Sequence, residues 1–339
     1  MRAPHPRTLR ARGLTAAATG LCLVLSLTAC GADGDAGVTA DAEGTVTVGR
    51  FSNGAARETT VKVSEVPSIS ARLPASVARD GKLVIGLGGL PDGFAPLVYT
   101  GDDQRTPTGS EPDLGRMVAA VLGLRAEVTN ATWDNMFVAL DSGKVEVAFS
   151  GVTITEERKR KYDFVSYRKD ELAFEVPESS RWRFRGDYHS LAGRTVAVGA
   201  GTNQEKILLG WKRKLAAEGK DITVKHFPNN NSLYLALAGG RIDAHFGPHP
   251  AVAYHIAQTA DTPRATRNAG TVSGAGDSLQ GLVGAATTTG NGLAAPIAAA
   301  IDHLIEHGQY ARWLKAWRLS DEAVESAEIN PPGLPLNGT

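Results

Sequence analysis

The sequence predicts an α/β protein of two similar lobes, each a mostly parallel sheet flanked by helices, with a ligand cleft between them. Two observations carry this. Short apolar strand patterns alternate with helical ones along most of the chain, which argues for parallel sheets. The alternation then runs a second time, and both series end on the same kind of strand: Gly143-Lys144-Val145-Glu146-Val147 is echoed by Gly240-Arg241-Ile242-Asp243-Ala244. A chain of 339 residues is long enough to bury two such cores, and clefts between domains are preferred ligand sites.

In the first series a buried-type strand is expected over 83–85 and a helix over 113–122, with Leu114, Met117, Val118, Val121 and Leu122 on one face. A strand over 126–128, a helix over 133–140 and a strand over 145–149 complete it. The second series reads as strand 195–198, helix 203–217, strand 222–225, helix 232–238 and strand 241–246. A helix over 250–258, a Gly/Ser/Thr-rich passage at 270–276, a strand over 282–285 and helices over 293–307 and 311–317 close the globular body.

The N-terminus points to secretion. Arg2, Arg7, Arg10 and Arg12 precede an apolar run over 14–27, followed by Leu27-Thr28-Ala29-Cys30. A basic start, a short apolar run and small residues before a cut predict a signal peptide over 1–29. The run is shorter than the ~18–20 residues that a membrane-spanning helix needs. The four residues ending at Cys30 resemble the lipobox of bacterial lipoproteins, which implies a lipid on Cys30 and attachment to the outer face of the cell membrane. Cys22 leaves with the signal, so the mature chain has no thiol for a disulfide or metal site.

Residues 30–66 read as a lipid-anchored flexible linker. Thr45-Val46-Thr47-Val48 and Thr60-Val61-Lys62-Val63 alternate within it, as a small hairpin or as part of the linker. The first lobe is expected from 67–172 together with 278–325, the second from 173–277, and a tail from 326–339.

The whole sequence has 36 basic and 36 acidic residues; removing a signal with four arginines and no acid leaves 32 against 36. No basic domain or basic stripe with interleaved aromatics points to nucleic acid. Gly86-Leu87-Gly88-Gly89-Leu90-Pro91 follows a strand but has Pro91 at the third glycine position and no helix after it, so it is not a dinucleotide loop. His245, His249 and His255 lie beside two prolines without a cysteine or acid pair, a pattern of surface or cleft-edge histidines rather than a metal site. Phe149-Ser150-Gly151 lacks the glycine of a nucleophile elbow. No cofactor is implied.

The segment over 150–158 is the most informative. It follows a strand, Thr155 stands where a helix N-cap would, and Glu156 and Glu157 occupy the first turn. Small and hydroxyl residues therefore crowd the carboxyl end of a strand, where open α/β sheets bind ligands. Arg158 follows, able to grip a carboxylate through two parallel hydrogen bonds. On spacing alone an ordinary strand-turn-helix with a solvated basic run fits as well.

Across 83–317 the chain resembles the family 3 extracellular solute-binding proteins, the receptor subunits of polar amino-acid ABC importers. The likeness rests on short segments in order: a divergent opening loop at 86–97, Pro112-Asp113-Leu114, the stretch from Trp133 through Leu140 to Gly143, and Ser150 through Arg158. Asp163-Phe164, Leu191-Ala192-Gly193, Gly201-Thr202-Asn203-Gln204-Glu205, the strand at 240–244 and Gly308-Gln309-Tyr310 with Trp317 complete it. The resemblance implies a type II periplasmic-binding-protein-like fold that closes on its ligand, hinged near 168–176 and 271–280. By resemblance Arg158 binds the ligand's α-carboxylate, Thr153 helps with ammonium and carboxylate, and Ser150 and Gly151 contact the same head group. Thr202 and Asn203 open the second lobe's helix toward the carboxylate, and Phe94 and Trp133 cover the ligand. Implied partners are a small amino-acid-like carboxylate and ABC permease subunits, with the membrane reached by the anchor and the chain a monomer. The alternatives are a cyclohexadienyl dehydratase-like enzyme and a ligand-sensing or scavenging lipoprotein.

The sequence departs from the family at two places. The opening loop at 88–93 is longer than usual and leaves the family's early acid without a clear match. After the strand at 240–246 the family carries an aspartate that pairs with the ligand's ammonium; here Pro248 stands at that position, with neither charge nor N–H. Asp92 and Glu111 are the acids that could substitute, and a ligand without a simple α-amine would also fit.

Overall fold

The computed structural model describes residues 44–277 and 279–337. The expected signal peptide, Cys30 and the tether as far as residue 43 lie outside the described residues. The described chain opens with an antiparallel hairpin of β1 (Thr45–Val48) and β2 (Thr59–Lys62). Two short helices, α1 (Pro67–Ser70) and α2 (Ala75–Asp80), lead into β3 (Lys82–Leu90). A small strand pair, β4 (Tyr99–Thr100) and β5 (Pro107–Thr108), precedes α3 (Ser110–Val121), β6 (Arg125–Thr132), α4 (Trp133–Asp141) and β7 (Val147–Ala148). A long strand, β8 (Tyr162–Pro177), crosses to the second series: β9 (Thr195–Val198), α5 (Asn203–Ala217), β10 (Thr223–Lys225), α6 (Asn230–Ala238), β11 (Ala244–Pro248) and α7 (His249–Thr259). Strands β12 (Thr266–Ser273) and β13 (Gly281–Thr288) return the chain to helices α8 (Ala294–Glu306) and α9 (Gln309–Ala316).

The nine-stranded sheet runs β10-β9-β11-β8-β13-β7-β3-β6, with β12 also on β8. Parallel pairing is confined to its two ends: β6, β3 and β7 in one lobe, β10, β9 and β11 in the other. Between them β8 pairs antiparallel with β13 along Tyr162–Asp170 and with β12 along Glu171–Pro177. One strand therefore belongs to both lobes, and its middle lies where β12 gives way to β13. Burial is nearly continuous along β8, apart from a few half-buried positions. That pattern, broken by the charges of Arg168-Lys169-Asp170-Glu171, is why the sequence outlines only a hinge there.

Each lobe has its own core. Helix α3 lays Leu114, Met117, Val118 and Val121, all fully buried, against Ile85, Phe149, Ile301 and Trp313. Burying a side chain of this size contributes about 1.5–3 kcal/mol each. In the second lobe Phe174 stacks on Phe246 with centroids 4.2 Å apart, and Trp211 closes the cluster. Helix α5 starts at Asn203 because Thr202 caps it, its side chain accepting from Glu205 N at 3.2 Å while Glu205 Oε2 accepts from Gly201 N at 2.7 Å.

Three expectations meet a different outcome. The stretch read as a linker with a possible small hairpin forms that hairpin, and from Thr45 on it packs as part of the first lobe. Val46, Val48, Val61 and Val63 are buried in its core, Gly49 N donates to Asp113 Oδ2 at 2.7 Å, and Gln309 Nε2 donates to Lys62 O. The stretch read as a tail lies along the body. Ser166 N donates to Glu328 O, Asn330 N to Phe164 O and Leu334 N to Ile154 O, and Leu334 is fully buried. The polar run after Thr155 forms only a 3-10 turn at Arg158–Arg160. Thr155 is held by a bridge to Leu334 on one side, and β8 begins at Tyr162 on the other. Among the described residues no helix is long and apolar enough to cross a membrane.

Candidate functional site

A cavity of about 530 Å³ lies between the lobes. From the first lobe it is lined by Phe94, Trp133, Ser150, Gly151 and Thr153, and from the second by Thr202, Asn203 and Pro248, all singled out by sequence. Ser150 and Gly151 stand where β7 ends. Gly151 adopts φ 63, the left-handed region that glycine enters without strain, which turns the chain along the cavity wall. Its N–H donates to Glu111 Oε2 at 2.8 Å, and Ser150 Oγ accepts from Gly88 N at 2.8 Å.

Arg158 is placed differently from this group. It lines a neighbouring cavity, which shares Trp133, Thr202 and Asn203 with the first. Its guanidinium donates to Thr153 O at 2.9 Å and to Gly201 O at 3.2 Å, and lies 5.4 Å from the Trp133 ring centroid and 5.5 Å from that of Phe137. Burial pulls it down to about 10, against the opposing pull of Asp170 and Glu157, so it remains a cation at neutral pH. The expected cap is present, Thr155 Oγ1 accepting from Arg158 N at 3.1 Å. The three basic residues after Arg158 are occupied elsewhere or exposed: Lys159 pairs with Glu156 and Lys161 with Asp141.

The two acids named as substitutes are both engaged. Asp92 Oδ2 accepts from Asn230 N at 3.1 Å across the cleft. Glu111, fully buried, accepts from Gly151 N, the Tyr167 hydroxyl, and Arg168 through Nε and Nη2 at 3.2 Å. Arg168, 2 % exposed, also donates to Glu322 Oε2 at 2.6 Å. Burial pushes Glu322 up to about 7, against the pull of Arg168.

Residues that the sequence did not assign to the ligand complete the walls. Asp170, two residues beyond Arg168 on β8, lines the cavity and accepts the Thr153 hydroxyl at 2.7 Å and Asn203 Nδ2 at 3.3 Å. Burial pushes its carboxyl above the usual range, against the Thr153 hydrogen bond and the charges of Arg168 and Arg158. Farther into the second lobe stand His245, His255 and Tyr234. Glu175, fully buried behind them, accepts from His245 Nδ1 at 3.3 Å, from His255 Nδ1 and from Thr266 Oγ1 at 2.6 Å. Burial opposes its ionisation, yet the hydrogen bonds and charges of the two histidines hold its carboxyl at about 2. The His255 ring stacks on Tyr234 with centroids 3.5 Å apart. His249 is only 3.9 Å from Glu171 and does not join the pair. The one signal for Asp170 was its place in the hinge segment; the histidines showed no spacing that marks a shared carboxylate.

Contacts join the lobes around the cavity. Trp133 Nε1 and Arg158 Nη2 both donate to Gly201 O, at 3.3 and 3.2 Å, and Lys206 Nζ lies 2.5 Å from Glu157 Oε2. At another edge Asn230 Nδ2 donates to Gly93 O at 2.6 Å beside the Asp92 contact.

A family model for bacterial extracellular solute-binding proteins, family 3, matches residues 88–320. The chain belongs to that family. Among the curated relatives of this family 3 solute-binding protein, the L-cystine-binding protein TcyJ of Escherichia coli (strain K12) is 32% identical over 194 residues, 57% of this chain and 68% of that protein. The arginine-binding protein ArgT of Corynebacterium glutamicum is 28% identical over 275 residues, 80% of this chain and 85% of that one. The solved structure of an ancestral arginine-binding protein bound to arginine is 26% identical with a TM-score of 0.60, covering 70% of this chain and 98% of that one. The fold of this solute-binding protein is the type II periplasmic-binding one, and the hairpin β1–β2 lies ahead of the family match.

Proposed function

We propose that this chain is the extracellular receptor of an ABC importer, anchored by a lipid on Cys30, and that it captures an amino acid by closing its two lobes. The observation that carries the reading is the cavity between the lobes, ringed by contacts that only closed lobes can make: Arg158 and Trp133 to Gly201, Lys206 to Glu157, and Asn230 to Gly93. A ligand that completes hydrogen bonds in the closed form alone shifts the population toward it. The names of TcyJ and ArgT, an L-cystine-binding and an arginine-binding protein, support an amino acid as the ligand.

In this reading Phe94, 38 % exposed, and Trp133 supply apolar faces for the ligand. The start of α5 at Thr202 and Asn203 and the charge of Arg158 serve its carboxylate, since a helix N-terminus and a cation both favour an anion. Arg158 reaches the ligand by giving up the one contact to Gly201 O for a carboxylate oxygen, while those of Trp133, Lys206 and Asn230 keep the lobes closed. Ser150 and Gly151 hold the head group at the end of β7, and Pro248 contributes shape alone. Equilibrium dialysis of the detergent-solubilised full chain against labelled L-arginine, L-cystine and the other L-amino acids tests the reading. Saturable retention of one of them, recovered unchanged, is expected; conversion to a new product would favour the dehydratase-like alternative, for which Asp170 is the available acid. For the anchor, Cys30→Ser is expected to move the protein from the membrane fraction to the medium.

A further inference from the structure

The position matching the family's ammonium-binding acid is Pro248 by resemblance, and the two acids that could substitute, Asp92 and Glu111, are already occupied. Asp92 holds Asn230 N, and Glu111 is saturated by Gly151 N, Tyr167 and Arg168. Asp170 differs from both. It is 4 % exposed, lines the cavity, and uses only Oδ2 for its bonds to Thr153 and Asn203. Its Oδ1 accepts no hydrogen bond from the described residues.

We infer that Asp170 receives the ligand's ammonium group, with Thr153 Oγ1 as a second acceptor, so that the cavity selects zwitterionic amino acids over carboxylates that lack the amine. The inference rests on the reading of the chain as an amino-acid receptor. Geometry supports it first. Thr153 spends its hydroxyl hydrogen on Asp170 Oδ2 at 2.7 Å, which leaves its oxygen lone pairs and Asp170 Oδ1 as neighbouring acceptors, the array that an –NH3+ group with three donors needs. Asn203 Nδ2, shared between Asp170 Oδ2 at 3.3 Å and Gly274 O at 3.0 Å, fixes the carboxylate's orientation from the second lobe. The ammonium site is thereby assembled from both lobes.

Charge supports it independently. Among the described residues Arg168 is the one cation in direct contact with the buried hinge acids, and it faces Glu111 and Glu322, with Asp170 as a third carboxylate 4 % exposed. The Arg158 hydrogens go to carbonyls, so Arg158 reaches Asp170 through space only. A buried carboxylate without a paired cation is costly, and burial does push Asp170 toward its neutral form. A ligand ammonium offsets that cost. A carboxylate bearing a hydroxyl in its place would meet the same site with no positive charge, and its own anion would be repelled.

The test compares each L-amino acid found to bind with its α-hydroxy acid, which keeps the side chain and carboxylate and replaces the amine by hydroxyl. Titration calorimetry on the wild-type full chain is expected to give at least ~100-fold weaker binding for the hydroxy acid, and Asp170→Asn to weaken the amino acid by a similar factor while binding the hydroxy acid no more weakly than the wild type does. Equal affinity for amino and hydroxy acid, or full retention of amino-acid affinity in a folded Asp170→Asn, overturns the inference and leaves the receptor reading standing. Should no amino acid bind the wild type, the receptor reading itself falls, and this inference with it. The wild-type comparison decides the matter even if Asp170→Asn does not fold.

Discussion

Arg158 and Asp170 show what a single residue does and does not reveal in sequence. Arg158 is legible because a capping threonine and two acids set it apart from the basic run behind it, and the structure gives it work that Lys159 and Lys161 do not share: it bridges a carbonyl of each lobe and lies against two aromatic faces. Asp170 is not legible because Arg168-Lys169-Asp170-Glu171 reads as solvated charge. Only the crossing of β8 from β13 to β12 turns two of those four residues inward, where they are 2 % and 4 % exposed. Replacing Arg158 by alanine is expected to weaken amino-acid binding at least ~100-fold, the scale of losing a charge-assisted pair with a carboxylate. The unliganded variant should melt within a few degrees of wild type, because Arg158 bonds carbonyls and leaves no buried carboxylate stranded. Binding by dialysis and a melting curve on the same sample check both halves; retained affinity would return Arg158 to a structural role.

At the level of elements, the parallel strands and their helices were readable from periodicity, and α5 begins and ends where its pattern does. The misses share one cause: they are segments held by partners distant in sequence. Residues 45–66 alternate enough to suggest a small hairpin but nothing in them tells what it packs on, and Val46, Val48, Val61 and Val63 fill the edge of the first lobe's core. Residues 328–334 look like a polar, proline-containing tail, yet their backbone completes hydrogen bonds of Phe164, Ser166 and Ile154. The hairpin gives a direct check. Val61→Asp places an unpaired carboxylate in a fully buried position and should destabilise the protein by several kcal/mol. A loose linker would show no change in melting temperature. Glu175 ties four elements together, β8 through itself, β11 through His245, α7 through His255 and β12 through Thr266. With its carboxyl held at about 2, below the ordinary value of 4.5, it contributes stability that is present above pH 4.5 and is lost as pH falls toward 2. Glu175→Gln is expected to lower the melting temperature at pH 5–6 and to flatten its decline at acid pH; an unchanged acid limb would contradict the role of this cluster.

The whole molecule couples the two lobes through buried charge at the hinge. Glu322, pushed up to about 7 by burial, favours the folded state while protonated. The sign is opposite to that of Glu175: this contribution is complete below pH 4.5 and is lost as pH rises through about 7. Asp170 and Asp113 are pushed the same way by burial. Melting temperature of the unliganded protein should therefore fall between pH 4.5 and 7, and Glu322→Gln should reduce that slope; a slope unchanged by the substitution would remove Glu322 from the account. Two lobes, their order and their cleft were legible in the sequence from the repeated series and the family segments. The hinge charges were not, since a buried network of opposite charges has the same composition as an exposed one. Capture of an amino acid between the closed lobes is tested most directly by the melting midpoint of the full chain with each L-amino acid and L-cystine added in turn. A ligand present at a hundredfold its Kd adds ~2.7 kcal/mol of stability. One amino acid, or a small group of related ones, is expected to raise the midpoint by several degrees while the others leave it in place. A midpoint that no amino acid moves would contradict the account.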